Sequence, residues 1–361
     1  MFNIDINDLF GSTKKLVGLD IGSSALKVAE ILETPSGYLL NQFSQISLPK
    51  GVIVDGLLVE HDVLTQTIKE LFKQSKLNPK HIVTSLSGQS VIVKRVNIPT
   101  MEENEVRDMI HDEASKYLPF DNMDDVNFDF QILGVNEYNP NQMDILIVAV
   151  KKDYIEPFVE AVENAGVSVD IMDVDSFAIE NMFEENYEPD ENDLVVLINI
   201  GASITNINVV KNGASIFLRD FNLGGNAVTE AIQEKFGVSF EEAERMKVEG
   251  TADDKMSEKE FRDSLLSYAE VICLEIERSV DYFRSTSGGE DIKQVLLSGG
   301  GAKIPGIAVD LTQRLNIDTE IIDPFKKIDY NKKNLDETII EQIGPAVGVG
   351  VGLALRRIGD K

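Results

Sequence analysis

Leu16-Val17-Gly18-Leu19-Asp20-Ile21-Gly22-Ser23-Ser24 runs an apolar strand into a tight turn of small residues. A turn without bulky side chains lets backbone N–H groups converge on an anion, because no Cβ blocks the approach. Alone this is a common hairpin. The pattern returns at 194–205 (LVVLINIGASIT), and a third glycine cluster follows a strand at 295–306 (VLLSGGGAKIPG). Two phosphate-type loops half a chain apart, with a third cluster beyond, predict a nucleotide held between two related halves.

Working outward from the first loop, residues 16–32 read as a hairpin and 38–48 as a third strand. Leu64, Ile68, Leu71 and Phe72 recur at helical spacing, predicting a helix over 62–75. Residues 82–86 are a short strand. Residues 87–165 then read as an inserted module in the order strand, helix, strand, strand, helix. Pro99 ends its first strand, Asn139-Pro140-Asn141 marks a turn, and Gly166 closes its last helix. Runs at 167–174 and 176–183 return to the first half, and the acidic segment 184–193 reads as a linker. Three strands at 194–200, 204–210 and 214–220 repeat the opening arrangement without obvious identity. A long helix is predicted over 257–286.

The chain has 361 residues, 62 acids and 34 bases, for a formal charge of −28. That disfavours nucleic-acid backbones and anionic membrane surfaces, both of which attract clustered Lys and Arg. One cysteine, Cys273, excludes an intramolecular disulfide. Residues 1–10 carry Asp5 and Asp8 and do not read as a secretory leader. Gly344–Leu355 is apolar but shorter than the roughly 20 residues a membrane span takes; it reads as a buried, Gly-rich helix. No Walker-type loop is present, and His61, His81 and His111 show no metal-ligand spacing. His111-Asp112-Glu113 reads as a solvated helix face.

The ordered set LDIGSSALK, INIGASIT and LLSGGGAKIPG resembles the actin-like ATPase fold shared by actin, Hsp70, sugar kinases and FtsA. The small α+β module resembles the 1C module that FtsA carries at this place. Finer features resemble the PilM family of type IV pilus assembly: Lys116-Tyr117-Leu118-Pro119-Phe120, Asn127 to Phe130, Asp173 to Ala178, Asp323-Pro324-Phe325 and Gly352 to Arg356.

The resemblance implies an α/β, two-domain fold. Its first domain covers 13–86 and 166–193, the inserted module 87–165, the second domain 194–340, and a C-terminal helix over 341–361 returns to the first. It implies ATP and Mg²⁺. Gly22, Ser23, Ser24 and Lys27 would meet the phosphates, with Gly201 and Thr205 from the second loop. Asp20, and Asn199 through its amide oxygen, would face Mg²⁺ through water. Asn199 stands where the family usually has Asp; an amide brings no negative charge, so slow hydrolysis is expected. Glu244 and Lys247, three apart on a helix, would reach the ribose, and Gly300, Gly301 and Ala302 the adenine. Asp175, at a helix start, would orient water. Each has an ordinary alternative: a capped hairpin turn for Asp20, a solvated ion pair for Glu244 and Lys247, a strand-to-helix turn for 300–302, a dipole-complementing acid for Asp175.

The partner implied is the cytoplasmic N-terminal tail of a PilN-like inner-membrane protein, with contact to other pilus assembly proteins and no nucleic acid. It would dock between the first domain and the module, near Tyr117, Pro119 and Phe120, unless the two aromatics simply pack the helix end. The protein would then be cytoplasmic, held at the inner membrane through its partners. An FtsA-like membrane tether and a small-molecule kinase are the competing readings. The tether lacks the basic amphipathic terminal helix expected of it, and the kinase lacks a clear base beyond Asp175.

Overall fold

Strands whose neighbours cover both faces read as unbroken apolar runs, and LVVLINI is such a run: every residue of it is buried. In the computed structural model, which describes residues 16–88, 90–136, 139–190, 192–252 and 255–357, it is the central strand of one of two matching sheets. The leader reading of 1–10, first-domain residues 13–15 and terminal residues 358–361 lie outside the described residues, as do the side chains of His111 and Asp112.

The first half comprises β1 (Leu16–Ile21), β2 (Ala25–Thr34), β3 (Gly37–Ser47), the short pair β4 (Ile53–Val54) and β5 (Leu57–Leu58), α1 (His61–Ser75) and β6 (His81–Leu86). The module follows as β7 (Val91–Pro99), α2 (Glu103–Tyr117), β8 (Val126–Val135) and β9 (Gln142–Lys151). Next come α3 (Lys152–Asn164), β10 (Ser168–Val174) and α4 (Asp175–Asn186). The second half runs through β11 (Leu194–Ile200), β12 (Thr205–Lys211), β13 (Ala214–Phe221), α5 (Gly225–Phe236), α6 (Phe240–Glu249), α7 (Glu258–Tyr268), α8 (Glu270–Thr286), β14 (Ile292–Ser298), α9 (Ile307–Leu315) and β15 (Thr319–Ile321). β16 (Asp329–Tyr330), α10 (Glu337–Ile343) and α11 (Gly348–Leu355) complete the chain.

The sheets share one topology. In order β10-β6-β1-β2-β3-β16, the hairpin strands β1, β2 and β3 are antiparallel and β6 and β10 parallel. In order β13-β12-β11-β14-β15 the same five places recur. The module is its own three-stranded sheet, β7-β9-β8, with α2 on one face.

Packing moves three expected boundaries. α3 was expected to close the module at 165. Instead Tyr154, Phe158, Ala161 and Val162 are buried with Leu64, Ile68 and Leu71 of α1 in the first half's core. The helix is amphipathic, and its apolar face meets α1 rather than the module sheet. Residues 322–340 were expected in the second half. Ile322, Ile328, Leu335 and Ile340 join the core between the halves, and β16 pairs with β3 of the first sheet. The long helix over 257–286 is two helices, α7 and α8, meeting at Ala269, whose backbone lies at φ −85°, ψ 0°. A capping box at Ser257 and Glu260 starts α7.

Between the two sheets lie α4 and α11. All eight residues of α11 are buried, and glycine is what permits the approach. A Cβ on Gly352 would sit 1.7 Å from the Ala178 carbonyl oxygen of α4, and one on Gly18 of β1 would sit 2.5 Å from the Gly350 carbonyl. Arg356, just past α11, grips Asp173 of β10 through Nε–Oδ2 (2.7 Å) and Nη2–Oδ1 (3.1 Å). The helical run Glu337–Leu355, at 19 residues, is long and apolar enough by length and composition to cross a membrane, and 56% of its most apolar window is buried inside the protein.

α4 also carries a buried acid. Glu180 accepts from Asn208 Nδ2 (3.0 Å) and Ser215 Oγ, both in the second sheet. Burial pushes its carboxyl up to about 7, against the hydrogen bonds that favour the anion. The folded protein therefore binds more protons than the unfolded chain between about pH 4.5 and 7, and this group's contribution falls as pH rises through that window. Glu180→Gln removes the titration. The stability difference, variant minus wild type, should rise by on the order of 2 kcal/mol from pH 5 to pH 8. Denaturant melts across pH test this; a flat difference refutes it.

Candidate functional site

The two glycine turns are built alike and face each other. Gly22 N–H donates to the Ala25 carbonyl (3.2 Å), and Gly201 N–H to the Ile204 carbonyl (2.9 Å). Each closes its hairpin so tightly that the next two amides, of Ser23 and Ser24 and of Ala202 and Ser203, have no backbone partner among the described residues. Across the gap Ser23 Oγ donates to Ser203 Oγ (2.8 Å), which also accepts from Asn226 Nδ2 (3.0 Å). The second loop is seated on the start of α5: Gly225 and Asn226 N–H donate to the Gly201 and Ala202 carbonyls at 2.9 and 2.8 Å. A Cβ on Gly224 would lie 2.5 Å from the Gly201 oxygen, so the seat admits only glycine.

A cleft of about 320 Å³ opens between the halves, lined by both loops, Gly224 and Asn226. Lys50 crosses its mouth, 3.3 Å from Glu230 Oε1 and 3.9 Å above the Phe240 ring centre.

Lys27 and Asp20, on adjacent strands, form an ion pair of 2.7 Å, with Asp20 only 6% exposed. Asp175 starts α4 and accepts from Ser85 Oγ (2.5 Å). Burial, then the nearby Asp20 charge, hold its carboxyl well above the usual carboxylate range. The first half thus brings Asp20, at the base of the first loop, close to Asp175.

Asn199 is placed otherwise. Its Nδ2 donates to Asn206 Oδ1 (3.0 Å), and its Oδ1 lies 2.7 Å from where a Gly299 Cβ would be, so the side chain is packed between β12 and the third loop. Thr205 is buried and donates to the Leu223 carbonyl (2.7 Å), supporting the second loop from beneath. Glu244 and Lys247 do pair, at 2.6 Å. They point inward: Lys247 Nζ donates to the Gly225 carbonyl (3.0 Å) and Thr229 Oγ1 (2.8 Å), at the start of α5 beside the second loop. Of Gly300, Gly301 and Ala302 only Gly300 is exposed, with open space around it. A Cβ on Gly301 would sit 2.2 Å from Ile200 Cγ2, and Ala302 belongs to the second half's core. Gly301 is therefore a packing glycine.

Several residues escaped the sequence reading. Ser203 and Asn226 bridge the loops; the Ser of INIGASIT mirrors the serines of the first turn and was the available signal. Lys303, directly after the glycine cluster, donates to the Gln342 carbonyl, and desolvation and the neighbouring Lys27 charge lower its ammonium pKa. Asp220, half-buried on β13, accepts from Gly88 N–H (2.7 Å); nothing local marks it. Tyr117 and Phe120 pack against the module's own core under α2. The opposite sheet face carries the half-buried pair Val93 and Val148, continuous with Val91 and Val150 at the first half's core.

The cleft's donor set suits a polyphosphate with a divalent cation. Its loops offer amides without a backbone partner among the described residues, and hydroxyls, for phosphate oxygens; beside the first loop stand Lys27 and Asp20, with Asp175 near them, for charge and a hydrated metal. Two sheets of one topology, closing on such a cleft, define a protein of the actin-like ATPase fold.

The comparisons agree. A profile described as type IV pilus assembly protein PilM matches residues 18–358. The chain belongs to the PilM type IV pilus assembly family. A solved PilM–PilN type IV pilus biogenesis complex is 27% identical, with a TM-score of 0.82 over 94% of this chain and 98% of that one. The cell division protein FtsA of Bacillus subtilis is 25% identical over 258 residues, 64% of this chain; the match spans 57% of that relative's length. The ethanolamine utilization protein EutJ of Carboxydothermus hydrogenoformans shares the fold at 14% identity, with a TM-score of 0.57 over 94% of this chain and 89% of that one.

Proposed function

We propose that this protein is an ATP- and Mg²⁺-binding scaffold on the cytoplasmic side of the inner membrane. It docks the N-terminal tail of a PilN-like membrane protein in the groove between the inserted module and the first half. The observation that carries this reading is the near-complete likeness to a PilM held with PilN. The apolar strip from Val91 and Val150 to Val93 and Val148 supports the groove, because an extended segment binds by apolar anchors beside a strand.

In the cleft, the amides of Ser23, Ser24, Ala202 and Ser203 would take phosphate oxygens, with Lys27 and Lys303 supplying charge. Asp20 and Asp175 would hold a hydrated Mg²⁺, which supplies charge neutralisation for the phosphates. Glu244 and Lys247 flank the place for a ribose, and Gly300 leaves room for a flat base. Asn199 adds no charge, which favours slow turnover.

Calorimetry with a synthetic tail peptide and with ATP–Mg²⁺ tests both arms. Micromolar binding of each is expected. Gly300→Trp should weaken ATP at least tenfold, because the indole would fill the open space above the loop. A wild type that ignores the peptide refutes the scaffold reading; unchanged ATP affinity in the tryptophan variant refutes the base position.

A further inference from the structure

Residues 85–88 are the end of β6 and the start of its connection to the module, and their polar groups are tied to α4, α3 and the second half. Ser85 Oγ donates to Asp175 Oδ1 (2.5 Å). The Ser87 carbonyl accepts from Tyr154 Oη of α3 (3.2 Å). Gly88 N–H donates to Asp220 Oδ2 (2.7 Å), which reaches it from the second half. Gly88 has φ +96°, and a Cβ there would lie 3.1 Å from Ile204 Cδ1, a side chain of the second phosphate loop. Val91 N–H donates to the Gly88 carbonyl (3.0 Å), so β7 starts from this one residue. Gly88, in the connection from β6 to the module, is thus held by the half of the protein to which it does not belong.

We infer that the Asp220–Gly88 contact is a clasp that couples nucleotide in the cleft to partner docking on the module. The inference rests on the function proposed above. A ligand gripping both loops sets the separation of the halves. Asp220, on β13 beside the strand that follows the second loop, moves with the second half. Its carboxylate is half-buried and is also bonded by Asn206, and pulling it from Gly88 would leave the Gly88 amide without this partner, so the connection follows it. β7 then shifts, and with it Val93 in the groove. Asp220 acts as a positioning residue; it need touch neither ligand. Coupling between two binding sites is reciprocal, so each ligand strengthens the other by one factor.

The test uses the full-length protein, the tail peptide and a non-hydrolysable ATP analogue with Mg²⁺. Saturating nucleotide should tighten peptide binding about fivefold or more in the wild type, the lower end of common coupling factors. Asp220→Ala should bring that ratio close to one while both ligands still bind separately. Asp220→Asn keeps an oxygen that can accept from Gly88 and should keep most of the ratio. In the wild type, hydrogen exchange at the Gly88 amide should slow when nucleotide binds, a readout that needs no variant and decides the matter if the alanine protein fails to fold. A wild-type ratio of one with both ligands bound overturns the clasp and leaves the scaffold reading standing. A full ratio in Asp220→Ala, or unchanged Gly88 exchange, overturns it equally. A wild type that binds only one ligand removes the scaffold reading, and the clasp with it.

Discussion

Removing residues 91–151, with Ser90 joined to Lys152 through a short Gly-Ser linker, is expected to leave a folded protein that binds ATP and no longer takes up the partner tail. The geometry allows the cut. Val91 of β7 pairs directly with Val150 of β9, so the two ends of the module are neighbours. The module's core, Val96, Ile98, Val106, Ile110, Ile145 and Ile147 among it, is a separate cluster and leaves with it, and the first half's core loses only Val150 and the flanking Val91. The same cut extended to 88–164 should fail. It takes Tyr154, Phe158, Ala161 and Val162 out of the first half's core and the Gly88 contact out of the cleft. Each large apolar side chain removed forfeits roughly 1.5–3 kcal/mol. Three of them approach the whole stability of a typical domain, about 5–15 kcal/mol. Circular dichroism melts should show a cooperative transition for the shorter deletion only. Calorimetry should then show ATP binding without peptide binding. Full peptide affinity in the folded short deletion would move the docking site off the module.

Gly352→Ala should lower stability by about 3 kcal/mol or more, at the upper end of what overpacking costs. The added methyl would stand 1.7 Å from the Ala178 carbonyl oxygen, a backbone atom that no rotamer change moves. α11 would have to lift from α4, and it fills the space between the sheets beside β1 and β2. Loss of ATP affinity should accompany the loss of stability, since the two halves meet through this layer. Denaturant titration measures the first, calorimetry the second. A variant as stable as wild type would mean that α11 is not clamped as described. Gly350→Ala is the control: its Cβ would meet ordinary contacts at 3.9 and 4.0 Å.

The repeat of strand, small-residue turn and strand in LDIGSSALK and INIGASIT was legible because backbone conformation and local spacing determine such turns. The pairs Leu19–Val28 and Ile198–Ile207 form within single hairpins. Lys27 beside Asp20 follows from that same register, and so does the Glu244–Lys247 pair from one helical turn. The module's first four elements were legible for a like reason, since their turns and periodicity are local.

Ownership was not local. α3 is amphipathic wherever it packs, and only the chain's path shows that its apolar face meets α1. Gly301 and Gly300 are neighbours of one type, yet one is filled by Ile200 and the other stands open. Asn199 sits at a strand end in either reading, but its amide is held by Asn206 across the strand, and the acid that joins Asp20 is Asp175 from another element. The sequence by itself determined two related halves, their phosphate turns and the presence of a module, because turns and periodicity are short-range properties of the chain. Tertiary structure alone decided which helix belongs to which core, which glycine is spare and which carboxylates meet. Those depend on side chains far apart in sequence, brought to one place by packing between elements.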